Sequence, residues 1–187
     1  MDLQKLRAAN VARQAEWGGN EQADLEFRAL EVADETGELC GAVKKLVRAQ
    51  RGITGSTLSV GDVADEMGDV LISIDLLASQ LDLALPWPGM TGSGGTASEI
   101  NMALRLDAVV GDLSDAVIAH IADLETTSST GQQDLGDIWE SMRRAIFWVA
   151  QLAARLSIDL GQAVAAKFNK TSIKYGLRTT MPETAAA

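Results

Sequence analysis

The sequence predicts an all-α protein, an antiparallel helical bundle built from two successive helical repeats and a C-terminal helix. Three observations carry that expectation. Apolar residues recur at helical spacing along the chain. The segments are joined by short loops of glycine, proline and hydroxyl residues, which favours antiparallel neighbours. The order of segments also repeats. Gly37-Glu38-Leu39 with Ala42-Val43 matches Gly111-Asp112-Leu113 with Ala116-Val117 at an offset of 74, and Leu77-Ala78 with Leu81 matches Leu152-Ala153 with Leu156 at an offset of 75. Any two Leu/Ala-rich helices align somewhere, but two helix pairs in the same order at nearly the same offset favour duplication.

Residues 2 to 16 alternate polar and apolar positions at helical spacing, with Leu3, Leu6 and Val11 available for a core, and Trp17-Gly18-Gly19-Asn20 breaks that helix. Residues 22 to 50 form the first long helix, whose last turns carry Lys44, Lys45, Arg48 and Arg51. A loop over Gly52 to Thr57 follows, and Ser59 or Asp62 caps a helix of residues 60 to 84. Pro86, Pro88 and the glycines up to Gly95 make a linker, 86–98; lacking a preceding strand and a GK[ST] ending, it is no phosphate cradle. Helices are then expected from about Ser98 to Glu125, from Asp134 to Leu156 after a loop at Thr126 to Gly131, and from Asp159 to Lys174, with a frayed tail to Ala187. The domain reading is a first repeat over 1–85, a second over 99–158, and the C-terminal helix and tail over 159–187.

Composition narrows the function. A 187-residue chain with 47% hydrophobic residues can bury a substantial core, and at 4% aromatic that core is aliphatic. A formal net charge of −10 argues against nucleic acid or an anionic membrane as a partner, and a polyphosphate substrate is repelled unless cations intervene. The lone cysteine, Cys40, excludes an internal disulfide and reads as a buried structural thiol. No apolar run approaches a membrane span and the start has no signal-peptide core, so a cytoplasmic location is expected.

Against that background the acids stand out. Glu31, Glu35 and Glu38 share one helical stripe, and Asp62, Glu66 and Asp69 share another, both flanked by Leu30, Leu39, Val63, Val70 and Leu71. If the two helices pack antiparallel, the stripes bring four carboxylates together, which do not all stay ionised without a cation. An all-oxygen donor set suits Mg²⁺, or Mn²⁺, rather than zinc. A single glutamate of this kind is ordinarily a solvated helix face. With the offsets above, the acids do not repeat: Glu31 falls on Arg105, Glu35 on Val109, Glu38 on Asp112, Glu66 on Ser141 and Asp69 on Arg144. The chain reads as a pseudo-dimer with one competent half.

The pairs Glu35-x-x-Glu38 and Glu66-x-x-Asp69, inside EVADETGEL and VADEMGDVL, resemble the MazG-like all-α nucleoside triphosphate pyrophosphohydrolases, and Asp159 to Leu177 resembles the tail that ends small members. The likeness covers residues 10 to 84 and 159 to 177; between them it is weak. It implies metal-dependent hydrolysis of an NTP or dNTP to the monophosphate and pyrophosphate, with Mg²⁺ held by Glu35, Glu38, Glu66 and Asp69. It makes Lys167, Asn169 and Lys170 candidates for phosphate contact with Tyr175 close by, and gives a further carboxylate, Glu31 or Asp65, the task of holding or deprotonating the attacking water. The chain departs from the family in the degenerate unit inserted before the tail. The tail is therefore expected to cross back to the first half's site, so that deleting residues 165 to 187 abolishes nucleotide affinity but spares helix content. Two such chains are expected to pair as a homodimer through their outer helix faces.

Several residues keep two readings. Lys44 and Lys45 either complement a helix dipole or reach a phosphate beyond Glu38. Trp17 either covers the core or stacks on a base, as could Asn20, Trp139 or Trp148 in a pocket between the halves. A di-iron bundle would need Glu-x-x-His pairs, and the single histidine, His120, lies in the degenerate half and reads as structural. A nucleotide sensor or helical assembly protein without catalysis, and a phosphoribosyl-ATP pyrophosphohydrolase-like enzyme, remain as alternatives; nothing in the sequence ranks the bases.

Overall fold

In a computed structural model the chain is described over residues 3–85, 96–126 and 135–182. The linker 86–98 falls almost wholly outside the described residues, as does the loop before residue 135. Six α-helices account for most of the rest: α1 Leu3–Gln14, α2 Leu25–Gln50, α3 Val60–Gln80, α4 Glu99–Thr126, α5 Gly136–Leu156 and α6 Leu160–Lys174, with a 3-10 turn at Asn20–Gln22. No described residue is in a strand, and no described helix is long and apolar enough to cross a membrane.

Side-chain caps open α2, α3 and α6. Asp24 accepts from the Phe27 N–H at 2.9 Å ahead of α2, and Asp159 accepts from the Gln162 N–H at 3.0 Å ahead of α6. Ser59 and Asp62 act together rather than as alternatives, closing a reciprocal capping box at α3. Four helix ends share one device, a left-handed residue followed by an N–H that reaches back five residues. Gly52 and Gly176 supply it for α2 and α6, where Ile53 donates to Arg48 and Leu177 to Ser172. Non-glycine residues supply it for α3 and α5: Asp82, with φ 53°, and Ser157, with φ 56°. Asp82 ends α3 at Gln80 rather than residue 84, and it lies 75 positions before Ser157, the offset of the sequence repeat.

Two antiparallel pairs form the body. Glu31, Glu35 and Asp69 to Leu76 line one cavity while Glu38, Lys45, Leu58 and Glu66 line another, so α2 and α3 run in opposite directions. Ion pairs Glu99–Arg155 at 2.9 Å and Asp112–Arg144 at 3.0 Å show the same for α4 and α5. The pairs meet through α2 on α4 and α3 on α5, while α1 and α6 both pack on α3. Leu39, Met67, Leu71 and Ile74 from the first pair, and Leu106, Leu113, Met142 and Ile146 from the second, are fully buried in one aliphatic core; Phe168 of α6 is its one buried aromatic among the described residues.

Two contacts fix α3 among its neighbours. Asp75, fully buried, accepts from Arg7 and from Asn10, each at 2.8 Å, which ties α1 to α3. Gly68 lets α6 come close: a Cβ there would lie 2.6 Å from the Lys167 Cβ and 3.1 Å from the Ala163 carbonyl. The tail is not frayed as far as it is described. The Arg178 and Thr179 N–H groups donate to Glu16 at 2.7 and 3.0 Å, and Met181 is buried. Because Ala165, Phe168 and Met181 are buried core residues, removal of residues 165–187 would take out part of the core, and helix content is expected to fall with it.

Candidate metal centre

The two acid stripes meet where α2 crosses α3. One carboxylate oxygen each from Glu35, Glu38 and Glu66 lies within 4.8 Å of the other two; Glu35 and Glu66 are half-buried and Glu38 is exposed. At that separation two ionised carboxylates repel by about 3 kcal/mol at an effective dielectric of ~20. Burial first, then the charges of Asp69 and Glu38, pushes Glu35 up to about 7. Burial likewise raises Glu66 and Asp69, with Lys167 pulling both back. The Oε2 atom of Glu66 is buried and has no hydrogen-bond partner among the described residues. Orphaned buried oxygens of this kind call for an explanation, and a hard divalent cation held by an all-oxygen set fits the residues present.

Asp69, expected as the fourth ligand, is not one of the three clustered acids. Its carboxylate is 2.5 Å from the Lys167 Nζ, brought there by the close packing of α6 on α3. Lys170 pairs in the same way with Asp65. The C-terminal helix therefore sits over the first half's acids within its own chain, as the tail-crossing expectation requires. Glu31 is engaged by Arg28 at 2.6 Å. Asn169, expected near the phosphate, fastens the tail: its amide donates to the Met181 carbonyl at 2.9 Å and accepts from the Met181 N–H at 2.7 Å.

On one side of the acids lies a cavity of about 420 Å³, bounded by Arg13, Trp17, Phe27, Arg28, Glu35 and Asp69 among others. Trp17, half-buried, stands 4.9 Å from the exposed Tyr175 ring. Asn20 lines this cavity, with its side-chain oxygen held by Arg28. On the other side Lys44 and Lys45 border a depression that also contains Glu38 and Glu66. Trp139 and Trp148 do not join Trp17: both belong to α5, and Trp148 faces a separate cleft. Cys40 is half-buried, not buried, and burial pushes its thiol up to about 11.

Two arginines matter here that the sequence did not single out. Arg28 is buried and holds Gln14 at 2.9 Å, Asn20 and Glu31 at once, fixing the cavity wall. Arg13, 3% exposed, stacks on Phe168 at 3.6 Å, donates to the Phe168 carbonyl at 3.2 Å, and keeps a buried Nε without a partner among the described residues. Burial lowers it to about 10 against the pull of Asp69. The one sequence signal for either is a basic residue at a position where helical spacing demands an apolar one.

Neither a family model, nor a curated protein, nor a solved structure matches this chain.

Proposed function

We propose that the protein is a metal-dependent nucleoside triphosphate pyrophosphohydrolase acting at the α2–α3 acids. The observation that carries this reading is the convergence of Glu35, Glu38 and Glu66, with the buried Glu66 oxygen unpartnered among the described residues, on the edge of a cavity walled by Trp17 and two arginines. Glu35, Glu38 and Glu66 would hold the cation, with Asp69 as a fourth acid once Lys167 is drawn away. A bound divalent cation supplies neutralisation of phosphate oxygens and a water of lowered pKa. Lys167 and Lys170 stand over the acids on α6, each leaning on a carboxylate, and can turn their ammonium groups to a polyphosphate chain that brings more negative charge. Asp65, released from Lys170 in that exchange, is the carboxylate free to take the proton of a water; Glu31 is held by Arg28 and serves the cavity wall instead. Trp17 offers a ring face to the base, and Arg13 lines the same cavity with its charge.

The position of bond cleavage rests on the resemblance of the acid pairs and the tail to MazG-like enzymes. Phosphorus NMR of a panel of NTPs and dNTPs incubated with Mg²⁺ tests it directly. Pyrophosphate and a nucleoside monophosphate are expected, abolished by EDTA and by Glu38→Gln. Orthophosphate release, or turnover equal in Glu38→Gln, would overturn the proposal; nucleotide-dependent thermal stabilisation without turnover would favour a sensor.

A further inference from the structure

The second helix pair contains a cleft of about 480 Å³ that the proposed reaction does not use, bordered by Arg105, Val109, Arg143, Arg144, Phe147 and Trp148. Its walls are the repeat counterparts of the first half's cavity. At the offset of 74 on α4, Arg105 and Val109 stand where Glu31 and Glu35 stand on α2. At the offset of 75 on α5, Arg144, Phe147 and Trp148 stand where Asp69, Ile72 and Ser73 stand on α3. Two acids have become arginines and two small or aliphatic walls have become aromatic. Arg143 replaces Gly68, the glycine that admits α6, and α5 packs on α4 and α3 with no helix in the place of α6 among the described residues.

The charges are partly satisfied already, and the remainder is cationic. Glu140 takes two bonds from Arg143, both 2.6 Å, and Asp112 takes one from Arg144 at 3.0 Å. Arg105 pairs with no carboxylate among the described residues; its Nε donates to the Asn101 side chain at 2.8 Å and its guanidinium lies 5.2 Å above the Trp148 ring. Phe147 meets Trp148 edge to face, with centroids 5.0 Å apart. The cleft therefore offers one guanidinium without an acid, spare donors on two others, and an aromatic wall, in a volume that suits a small ligand. In a chain of net charge −10 this is a positive recess.

We propose that this cleft binds a nucleoside phosphate without a metal ion, its phosphate on Arg105 and Arg144 and its base against Trp148. Guanidinium groups match phosphate oxygens in pairs, and a tryptophan face stacks on any base. Where the first half needs a cation to bring a polyanion to its acids, the second half carries the positive charge in its own side chains. Binding here does not depend on hydrolysis in the first half.

Calorimetric titration with ADP in excess EDTA tests it, with inorganic pyrophosphate as a control ligand, on wild type, Arg105→Gln, Trp148→Leu and Glu66→Gln. Saturable ADP binding is expected in wild type and Glu66→Gln, weakened about tenfold or more in Arg105→Gln through loss of a charge-assisted contact. Pyrophosphate is expected to bind more weakly than ADP, and Trp148→Leu is expected to erase that difference. The absence of ADP binding in EDTA, its loss in Glu66→Gln, or indifference to Arg105→Gln would overturn the proposal. Dissociation of a dimer by Arg105→Gln with ADP affinity unchanged would assign the cleft to a second copy of the chain and overturn it equally.

Discussion

Glu35 is the residue in which fold and site conflict most openly. Folded, its carboxyl titrates at about 7, because it is half-buried beside Asp69 and Glu38; the ordinary value is 4.5. Between those two pH values the folded chain holds a proton that the unfolded chain has released, so ion-free protein loses stability as pH rises through the window, by at most about 1.4 kcal/mol per pH unit. Melting in EDTA at pH 5.5 and pH 8 should therefore give a lower Tm at the higher pH, and Glu35→Gln should narrow the gap. Adding Mg²⁺ should raise the wild-type Tm more at pH 8, where no proton competes for the oxygen. An unchanged gap in Glu35→Gln would mean the carboxyl titrates normally. At this scale the acids were readable, because a spacing of three and four on a helix has one geometric meaning. Arg28 was not: its partners Gln14 and Asn20 come from the end of α1 and the turn that follows it, and only folding brings them together.

Among the elements, α6 decides whether the first half has a usable site, since it carries Lys167 and Lys170 to Asp69 and Asp65. Its approach depends on Gly68. Gly68→Ala forces the new methyl against the Lys167 Cβ and a carbonyl of α6, and overpacking of this sort costs about 1–3 kcal/mol. Gly111, also mid-helix, would carry a methyl with nothing within 4 Å of it, so Gly111→Ala should stabilise by up to about 1 kcal/mol through helix propensity. Urea denaturation of the two variants checks the contrast, and a Gly68→Ala protein as stable as wild type would show that α6 does not dock as described. Helix positions were legible to within a few residues from apolar spacing and caps. The end of α3 was not, because Asp82 adopts a left-handed backbone that glycine usually marks.

Over the whole molecule, one scaffold carries two opposite electrostatic faces. The α2–α3 pair gathers acid against acid, whereas the matching place on α4–α5 holds an acid–base pair, Asp112 with Arg144. Asp82 and Ser157, equivalent under the repeat, end α3 and α5 with the same left-handed turn. The expected repeat rests on matching residues of the apolar scaffold, which sequence alone displays; the cationic cleft was not visible, because it is assembled from side chains that each look like the loss of an acid. Everything proposed for the first half turns on whether its acids hold a divalent ion. An electron paramagnetic resonance titration of Mn²⁺ into wild type, Glu38→Gln and Asp112→Asn measures that without reference to any substrate. Saturable binding is expected in wild type and in Asp112→Asn, with affinity reduced about tenfold or more in Glu38→Gln. No saturable binding, or equal affinity in all three proteins, would contradict a metal centre at these acids.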